Sequence, residues 1–255
     1  MDGDAAPAAV PGPGSGALSR AAQPRLVAVP ADRLAGWCRR FEERHGALTT
    51  SSGEGALVLH AADGSWARLR VPVGELGVPR EAGVPREAGV PREAGDNVAA
   101  IDAQLTRRRR VGVLAVRRGG FACAVVEILP PGRAPGPGRV LAGKAGRRHV
   151  QGRTAAGGWS QQRFARRRDK QVQELIDAVA DHAARIVAGH GPLDALVTAG
   201  DVPLVEAVLA DARLRALAAV PRGLHLPSGD PDGAWVRALP TLLSSAQITV
   251  LDVTR

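Results

Sequence analysis

Two runs of valine-rich apolar residues joined by a short turn constrain this sequence more than any other feature. The runs are residues 111–116 and 121–129, and the turn between them is Arg117-Arg118-Gly119-Gly120. Branched apolar runs of this length, separated by a turn that contains glycine, are typical of two antiparallel strands. The sequence therefore predicts a β-hairpin here.

A long amphipathic helix is predicted after the hairpin and a glycine-rich stretch. Its apolar residues recur at steps of three and four, which places them on one helical face. They are Phe164, Val172, Leu175, Ile176, Val179, Ala183, Ile186 and Val187. A third strand is predicted between the hairpin and this helix, either at 139–142 or near 149–151.

The remaining sequence alternates between strand and helix patterns. Strands are predicted at 193–197, 224–226 and 248–253, and helices at 202–218 and 232–245. Antiparallel strands followed by alternating helices and strands predict a mixed sheet with helices on its faces. This α/β layout is that of an RNase H-like fold, although the spacing alone does not separate it from other mixed three-layer folds.

The chain divides by composition into four segments. Residues 1–23 are mostly Ala, Pro and Gly, a composition that favours a disordered tail, and 24–75 read as strand, helix and hairpin, hence a small α+β module. Residues 76–96 form a low-complexity loop, in which the hexapeptide Gly-Val-Pro-Arg-Glu-Ala occurs three times. A helix after Asp96 opens the fourth segment, a predicted α/β domain at 97–255.

Positive charge is concentrated in a tenth of the chain. The net charge is +9, and residues 144–170 contain nine Lys or Arg residues against the single acid Asp169. A solvated basic face is the ordinary interpretation of a charge run. Because so dense a cluster repels itself unless a polyanion neutralises it, nucleic acid binding is the favoured hypothesis.

Several classes of site are not supported by the sequence. Cys38 and Cys123 have neither disulfide-framework nor zinc-ligand spacing, and no segment has the composition of a leader or a membrane span. We therefore expect two buried thiols, a cytoplasmic location, and neither metal nor cofactor. The histidines also lack paired ligand spacing; they are His45, His60, His149, His182, His190 and His225.

Three incomplete motifs argue against other enzyme classes. Residues 138–145 nearly spell a P-loop, but Ala145 stands where a hydroxyl must hold magnesium. Residues 158–162 resemble a nucleophile elbow, but Gln162 replaces the closing glycine. Glu127 is the only acid in the first two predicted strands, which disfavours a metal-dependent nuclease.

Residues 146–168, GRRHVQGRTAAGGWSQQRFARRR, combine a glycine-rich loop, a glutamine and arginines that open a helix. This segment resembles the catalytic loop of the Vms-like release factors (VLRF) of Actinobacteria and Chloroflexi. The resemblance extends from about Arg107 to the C-terminus. It implies a domain like the middle domain of archaeal and eukaryotic release factors, whose Gly-Gly-Gln loop enters the peptidyl transferase centre.

The resemblance also implies roles for individual residues. Gly157 and Gly158 would supply a flexible backbone, and Gln161 would be the catalytic glutamine. Trp159 and Ser160 separate the glycines from Gln161, so Gln162 remains an alternative. Ser160 is counted with Gln161 and the two glycines among the candidate catalytic residues. A neutral amide can position a water because it both donates and accepts hydrogen bonds.

The arginines around the loop have the fork geometry that matches phosphates, and they are predicted to hold the loop against RNA. They are Arg147, Arg148, Arg153, Arg163, Arg166, Arg167 and Arg168.

The sequence thus predicts a monomeric peptidyl-tRNA hydrolase that releases nascent chains from stalled ribosomes. Its partners would be the large ribosomal subunit, ribosomal RNA and peptidyl-tRNA. The alternative is a ribosome- or RNA-binding protein without catalytic activity.

Overall fold

Two five-stranded β-sheets form the framework of the chain. The computed structural model describes residues 23–53, 55–74, 94–147 and 159–253, and of residues 94–96, 159–165 and 168 it describes the backbone only. Residues 1–22 of the predicted tail at 1–23, and residues 76–93 of the predicted repeat loop at 76–96, lie outside the described residues. Helices cover one face of the first sheet and both faces of the second.

The first sheet is antiparallel throughout. Its strands and the helices packed on it are β1 (Arg25–Pro30), α1 (Ala31–His45), β2 (Leu48–Gly53), β3 (Ala56–Ala61), β4 (Trp66–Arg70), α2 (Ala94–Thr106) and β10 (Ser245–Leu251). The strand order is β1-β10-β4-β3-β2.

Helix α1 buries one face because its apolar residues recur at helical spacing. Leu34, Cys38 and Phe41 lie in one core cluster with residues of α2 and of the sheet. The helix ends before Gly46, whose φ of 85° is left-handed and costs glycine little. The predicted strand, helix and hairpin of the first module are confirmed.

The last strand joins a different sheet from the one expected. The sequence analysis grouped residues 97–255, which include α2 and the final strand, into one domain. Strand β10 instead pairs antiparallel with β1 and β4, and Ile101 of α2 lies in the same core cluster as Leu34. Backbone hydrogen bonding, which the strand's own residues do not specify, decides this placement.

The second sheet is mixed. Its elements are β5 (Arg109–Arg117), β6 (Gly120–Ile128), β7 (Gly138–Arg147), α3 (Trp159–Ala188), β8 (Ala195–Gly200), α4 (Val202–Leu209), a 3₁₀ turn (Ala212–Leu214), α5 (Arg215–Ala218), β9 (Arg222–Leu226) and α6 (Gly233–Leu243). The order is β7-β6-β5-β8-β9, with β6 antiparallel to the other four strands. The predicted mixed α/β sheet of RNase H-like type is confirmed.

Helices pack on both faces of this sheet. Leu175, Val179 and Ala183 of α3 pack with residues of α4 and α5 on one face, whereas Leu239 of α6 packs on the other. Although α3 has 30 residues, no helix in the described part of the chain is long and apolar enough to cross a membrane. The predicted amphipathic helix is confirmed.

The helix predicted at 202–218 is interrupted. It ends at Leu209, and Asp211 then accepts a 2.9 Å hydrogen bond from the backbone nitrogen of Arg213. A carboxylate that caps the next turn in this way competes with continuation of the helix. Two short helices with a 3₁₀ turn between them result.

Both cysteines are buried, as predicted. Burial raises the pKa of the Cys38 thiol to about 11 and that of the Cys123 thiol to about 12. Both thiols are therefore protonated and unreactive at neutral pH.

Candidate RNA interface at the carboxyl edge of the second sheet

Four parallel strands of the second sheet end at one edge. β5, β7, β8 and β9 run in the same direction, so their last residues, Arg117, Arg147, Gly200 and Leu226, define a common carboxyl edge. Such edges are the usual ligand sites of open α/β sheets. β7 ends at Arg147 at this edge and α3 begins at Trp159, so the predicted catalytic loop follows directly from this edge.

The structure describes only part of the predicted site. Gly157, Gly158, Arg148 and Arg153 lie outside the described residues. Five further residues of the predicted site lie in the first three turns of α3, where the structure describes only their backbone. They are Ser160, Gln161, Gln162, Arg163 and Arg168.

The helix begins earlier than the apolar pattern predicts. The periodic apolar residues start at Phe164, whereas α3 starts at Trp159, directly after Gly158. No Gly or Pro occurs between Trp159 and Ala188, so nothing interrupts the helix up to the last glycine of the loop. Gln161 therefore lies in the first helical turn.

Arg166 and Arg167 are exposed on α3. Since a helix rises by about 1.5 Å per residue, they lie about 8 to 9 Å along the axis from Gln161. Two adjacent guanidinium groups open to solvent can bind phosphates at this distance from the first turn.

A second pair of arginines, not assigned to the site from sequence, lies beside Arg147. Gly120 pairs with Arg147 in the sheet and with Arg117 across the hairpin. Arg117 and Arg118 are both exposed, and Arg117 Nη1 donates a 2.7 Å hydrogen bond to the carbonyl oxygen of Ser228. The sequence analysis interpreted these residues only as a turn, although consecutive arginines at a strand end are themselves a signal for anion binding.

A cleft of about 770 Å³ opens at the same edge. Its lining includes Arg117, Arg118, Asp201, His225, Ser228 and Asp230. Arg147 approaches Asp230, with 3.8 Å between Nη2 and Oδ2, but both side chains are exposed, so the pair restrains Arg147 little. The cleft is therefore lined by both cationic groups and carboxylates.

His225, which has no paired ligand spacing in the sequence, joins the ends of β8 and β9 in this cleft. Its Nε2 donates to the carbonyl oxygen of Gly200 at 3.1 Å, and its Nδ1 lies 3.0 Å from the hydroxyl of Thr198. The carbonyl can only accept, so Nε2 carries the proton and, in the neutral ring, Nδ1 accepts from Thr198. Both nitrogens are engaged, which suits a positioning role.

Close packing orients the start of the loop against α3. Phe121 stacks on His182 of α3, with 5.5 Å between ring centroids and 21° between planes. A Cβ at Gly146 would lie 2.6 Å from the Phe121 ring, so only glycine fits beside it. Gly146 immediately precedes Arg147, and the packing thereby fixes where the chain leaves the sheet.

Glu127 lies at the opposite end of the sheet and binds arginines. Its two oxygens accept from Arg108 at 2.9 Å and from Arg139 at 2.9 Å. The hydrogen bond from Arg108 is the main cause that lowers the pKa of Glu127. Glu127 is thus held by structural ion pairs with two arginines. Among the described residues, no group of three His, Cys, Asp or Glu side chains could hold a metal ion.

The segment that nearly spells a P-loop is a strand. Residues 138–145 form most of β7 and pair along their length with β6. A phosphate-binding loop needs consecutive backbone N–H groups turned toward one anion, and a strand does not offer them. The third predicted strand is therefore confirmed at the first of its two positions, and the second, 149–151, lies outside the described residues.

Comparisons with known proteins identify a family. Residues 109–249 match the family described as "Actinobacteria/chloroflexi VLRF1 release factor". Similar solved structures include "Vms1 mitochondrial localization core" (10% identity, TM-score 0.35, covering 84% of this chain and 81% of the other). Another is the archaeal translation termination factor aRF1 (12% identity, TM-score 0.34, covering 84% and 63%). No curated protein sequence matches significantly.

Proposed function

We propose that this chain, which belongs to the VLRF1 release factors of Actinobacteria and Chloroflexi, hydrolyses the ester bond of peptidyl-tRNA on stalled ribosomes. Membership of a release factor family establishes a ribosome-associated role. The hydrolytic step, its glutamine and its RNA contacts are the proposal. The observation that carries it is the span of the family match, which includes the whole second sheet and the segment between β7 and α3.

The position of that segment supports insertion into a narrow site. One end follows Arg147 at the carboxyl edge, and the other joins Trp159, sixteen residues before Leu175, the first described residue of α3 that is buried. Since a helix rises by about 1.5 Å per residue, the start of α3 reaches about 24 Å along its axis from Leu175. Such a reach allows a loop to enter a cleft in RNA while the folded domain stays outside.

The charge at the edge supports RNA as the surface on which the domain rests. Arg117, Arg118 and Arg147 lie beside one end of the segment, and Arg166 and Arg167 are exposed near the other. Guanidinium groups on both sides of a loop can hold it between phosphates. The large ribosomal subunit, with its RNA and the tRNA acceptor stem, is the partner that this arrangement fits, and the chain would act as a monomer.

The chemistry needs only side chains that the segment contains. An aminoacyl ester is already activated, so the factor must chiefly deliver and orient a water, and orientation in a closed site contributes on the order of 7 to 11 kcal/mol. The Gln161 amide would hold that water, accepting a hydrogen bond from it and donating one to a neighbouring acceptor. Gly157 and Gly158 would let the backbone approach RNA closely.

Release of labelled peptide from purified large-subunit nascent-chain complexes tests this function, with RNA integrity followed in the same reactions. We expect peptide release with intact RNA and without added metal or nucleotide. Binding without release would support the non-catalytic alternative and contradict the hydrolase. RNA cleavage would instead identify a nuclease.

A further inference from the structure

The first sheet has an uncovered face. Alternate residues of a strand point to opposite sides of a sheet. One set, which includes Leu57, Leu69 and Ile248, packs with α1 and α2. The interleaved set of the same five strands therefore faces away from both helices. Among the described helices, only the end of α6 touches this second side, where Ser245 Oγ donates to the Thr241 carbonyl oxygen; the second side is hereafter the open face.

The centre of the open face combines an aromatic ring with positive charge. Trp66, Arg68 and Arg70 follow one another at alternate positions of β4, the middle strand of five. Arg70 is exposed, and Trp66 and Arg68 are half-buried. Successive residues on one side of a strand are about 7 Å apart, so the two guanidinium groups and the ring form a row along β4.

The neighbouring strands extend this row with groups that suit a nucleic acid. His60 of β3 pairs directly with Trp66. The Cβ atoms of such a pair are about 5 Å apart. The Nε2 of His60 hydrogen-bonds the Ser51 hydroxyl of β2 at 2.9 Å. Both His60 and Ser51 are exposed.

The open face carries no carboxylate among its described residues. The described acids around the first sheet lie in two other places. Some are on the helices, such as Asp32, Glu42 and Asp102. Asp63 and Asp252 lie beside the buried ring of His45. Leu26 of β1, which is 47% exposed, is the one large apolar side chain of the described open face that stands well out of the surface. An apolar partner would therefore bury little here, whereas a polyanion meets only positive and neutral groups.

We propose that the open face binds single-stranded RNA. Trp66 and His60 offer rings on which bases can stack, Arg68 and Arg70 can neutralise phosphates, and the Ser51 hydroxyl can hydrogen-bond a ribose. Charge complementarity and stacking support this binding, independently of the chemistry at Gln161. It gives the N-terminal unit a partner and the protein a second RNA contact, separate from the basic carboxyl edge.

Binding of a labelled single-stranded oligoribonucleotide of mixed sequence, followed by fluorescence anisotropy, tests the proposal. Every sample is the full chain with Arg166→Ala and Arg167→Ala. Less of the measured RNA affinity then comes from the arginines of α3. Trp66→Ala should weaken binding about fivefold or more, because it removes a stacking ring. Arg70→Ala should flatten the slope of log affinity against log salt by about 0.7.

Two further variants keep the test decisive. Trp66→Phe retains an aromatic face and should keep most of the affinity, which separates stacking from loss of fold. Arg39→Ala removes the same charge from an exposed arginine of α1, on the other side of the sheet, and should have little effect. Thermal melting by circular dichroism confirms that each variant is folded.

The proposal is wrong if Trp66→Ala and Arg70→Ala, both folded, bind RNA as Arg39→Ala does. It is equally wrong if these variants keep their RNA affinity but lose association with ribosomes, because the open face would then contact a ribosomal protein. Failure here leaves the release assay untouched.

Discussion

Arg109 Nη1 donates a 2.8 Å hydrogen bond to the carbonyl oxygen of Val73, and this contact joins the first residue of β5 to the chain that leaves the first sheet. The same guanidinium donates to the carbonyl oxygens of Gln104 and Arg107. Its residue is only 9% exposed. One buried cation thus satisfies three backbone acceptors at the junction between the two sheets.

We predict that Arg109→Met lowers the free energy of unfolding by about 2 to 3 kcal/mol, because buried acceptors lose their donor. Urea denaturation at neutral pH measures the change. Arg107→Ala, which removes an exposed side chain next to it, should stay within about 0.5 kcal/mol of the parent. Equal stability of the two variants would show that the three hydrogen bonds do not hold the junction.

Gln161→Ala should lower single-turnover peptide release by roughly 100-fold or more, as removal of one preorganised polar group does in other active sites. Ribosome affinity should stay within about threefold, because no phosphate contact is lost. Gln162→Ala and Ser160→Ala are the matched controls on the same helical turn and should have much smaller effects. If the Gln162 variant is the inactive one, Gln162 is the catalytic glutamine. If all three variants release peptide at the parent rate, none of these residues is catalytic.

Replacing both Arg166 and Arg167 with Ala should flatten the slope of log ribosome affinity against log salt by about one to two units, since each phosphate contact releases counterions. Binding measured at several salt concentrations gives the slope. Arg185→Ala is the control on the same helix: its guanidinium lies 2.6 Å from the Asp181 carboxylate, and we expect an unchanged slope. A slope that is equally steep in the double variant would argue against phosphate contacts by these two arginines.

Glu127→Gln should lower the free energy of unfolding by about 1 to 3 kcal/mol at neutral pH, because two arginines lose a buried charged acceptor. The pKa of Glu127 is lower in the folded chain than in the unfolded one, chiefly through the hydrogen bond from Arg108. Its contribution is therefore complete above the unfolded pKa and is lost as the pH falls through the folded pKa. Parent and variant should converge in stability at acid pH.

The same variant separates two functions. If Glu127 is a structural anchor, Glu127→Gln should release peptide at close to the parent rate when both are folded. A metal-dependent nuclease that used this carboxylate would lose its activity instead. Denaturation curves across pH, together with the release assay, check both expectations.

Gly146→Ala should destabilise the chain by about 1 to 3 kcal/mol, because the added methyl group overlaps the buried Phe121 ring. Gly119→Ala is the control, since a Cβ there meets nothing within 4 Å. Thermal melting compares the two. A neutral Gly146→Ala would mean that the ring moves aside freely and does not fix the position of the loop.

Local patterns of the sequence determined the individual elements of the second sheet. The valine-rich runs on either side of Arg117-Arg118-Gly119-Gly120 form β5 and β6, and the periodic apolar residues of α3 face the sheet. These features depend on neighbours in the chain, so their periodicity is visible without the fold. The glycine-rich segment and its arginines were likewise visible as residues, although most of the loop lies outside the described part of the structure.

Only the tertiary structure decided which distant residues meet. A strand such as β10 carries apolar residues that fit either sheet. Its hydrogen bonds with β1 and β4, about 220 and 180 residues away in the chain, were set by the packing of the whole chain. The same holds for Arg117 beside Arg147, for His225 between Thr198 and Gly200, and for the arginines on Glu127. The sequence by itself determined the elements and the basic segment near α3, because these are local properties. The fold decided the carboxyl edge, the junction at Arg109 and the open face, because each of them requires strands to pair across long separations in the chain.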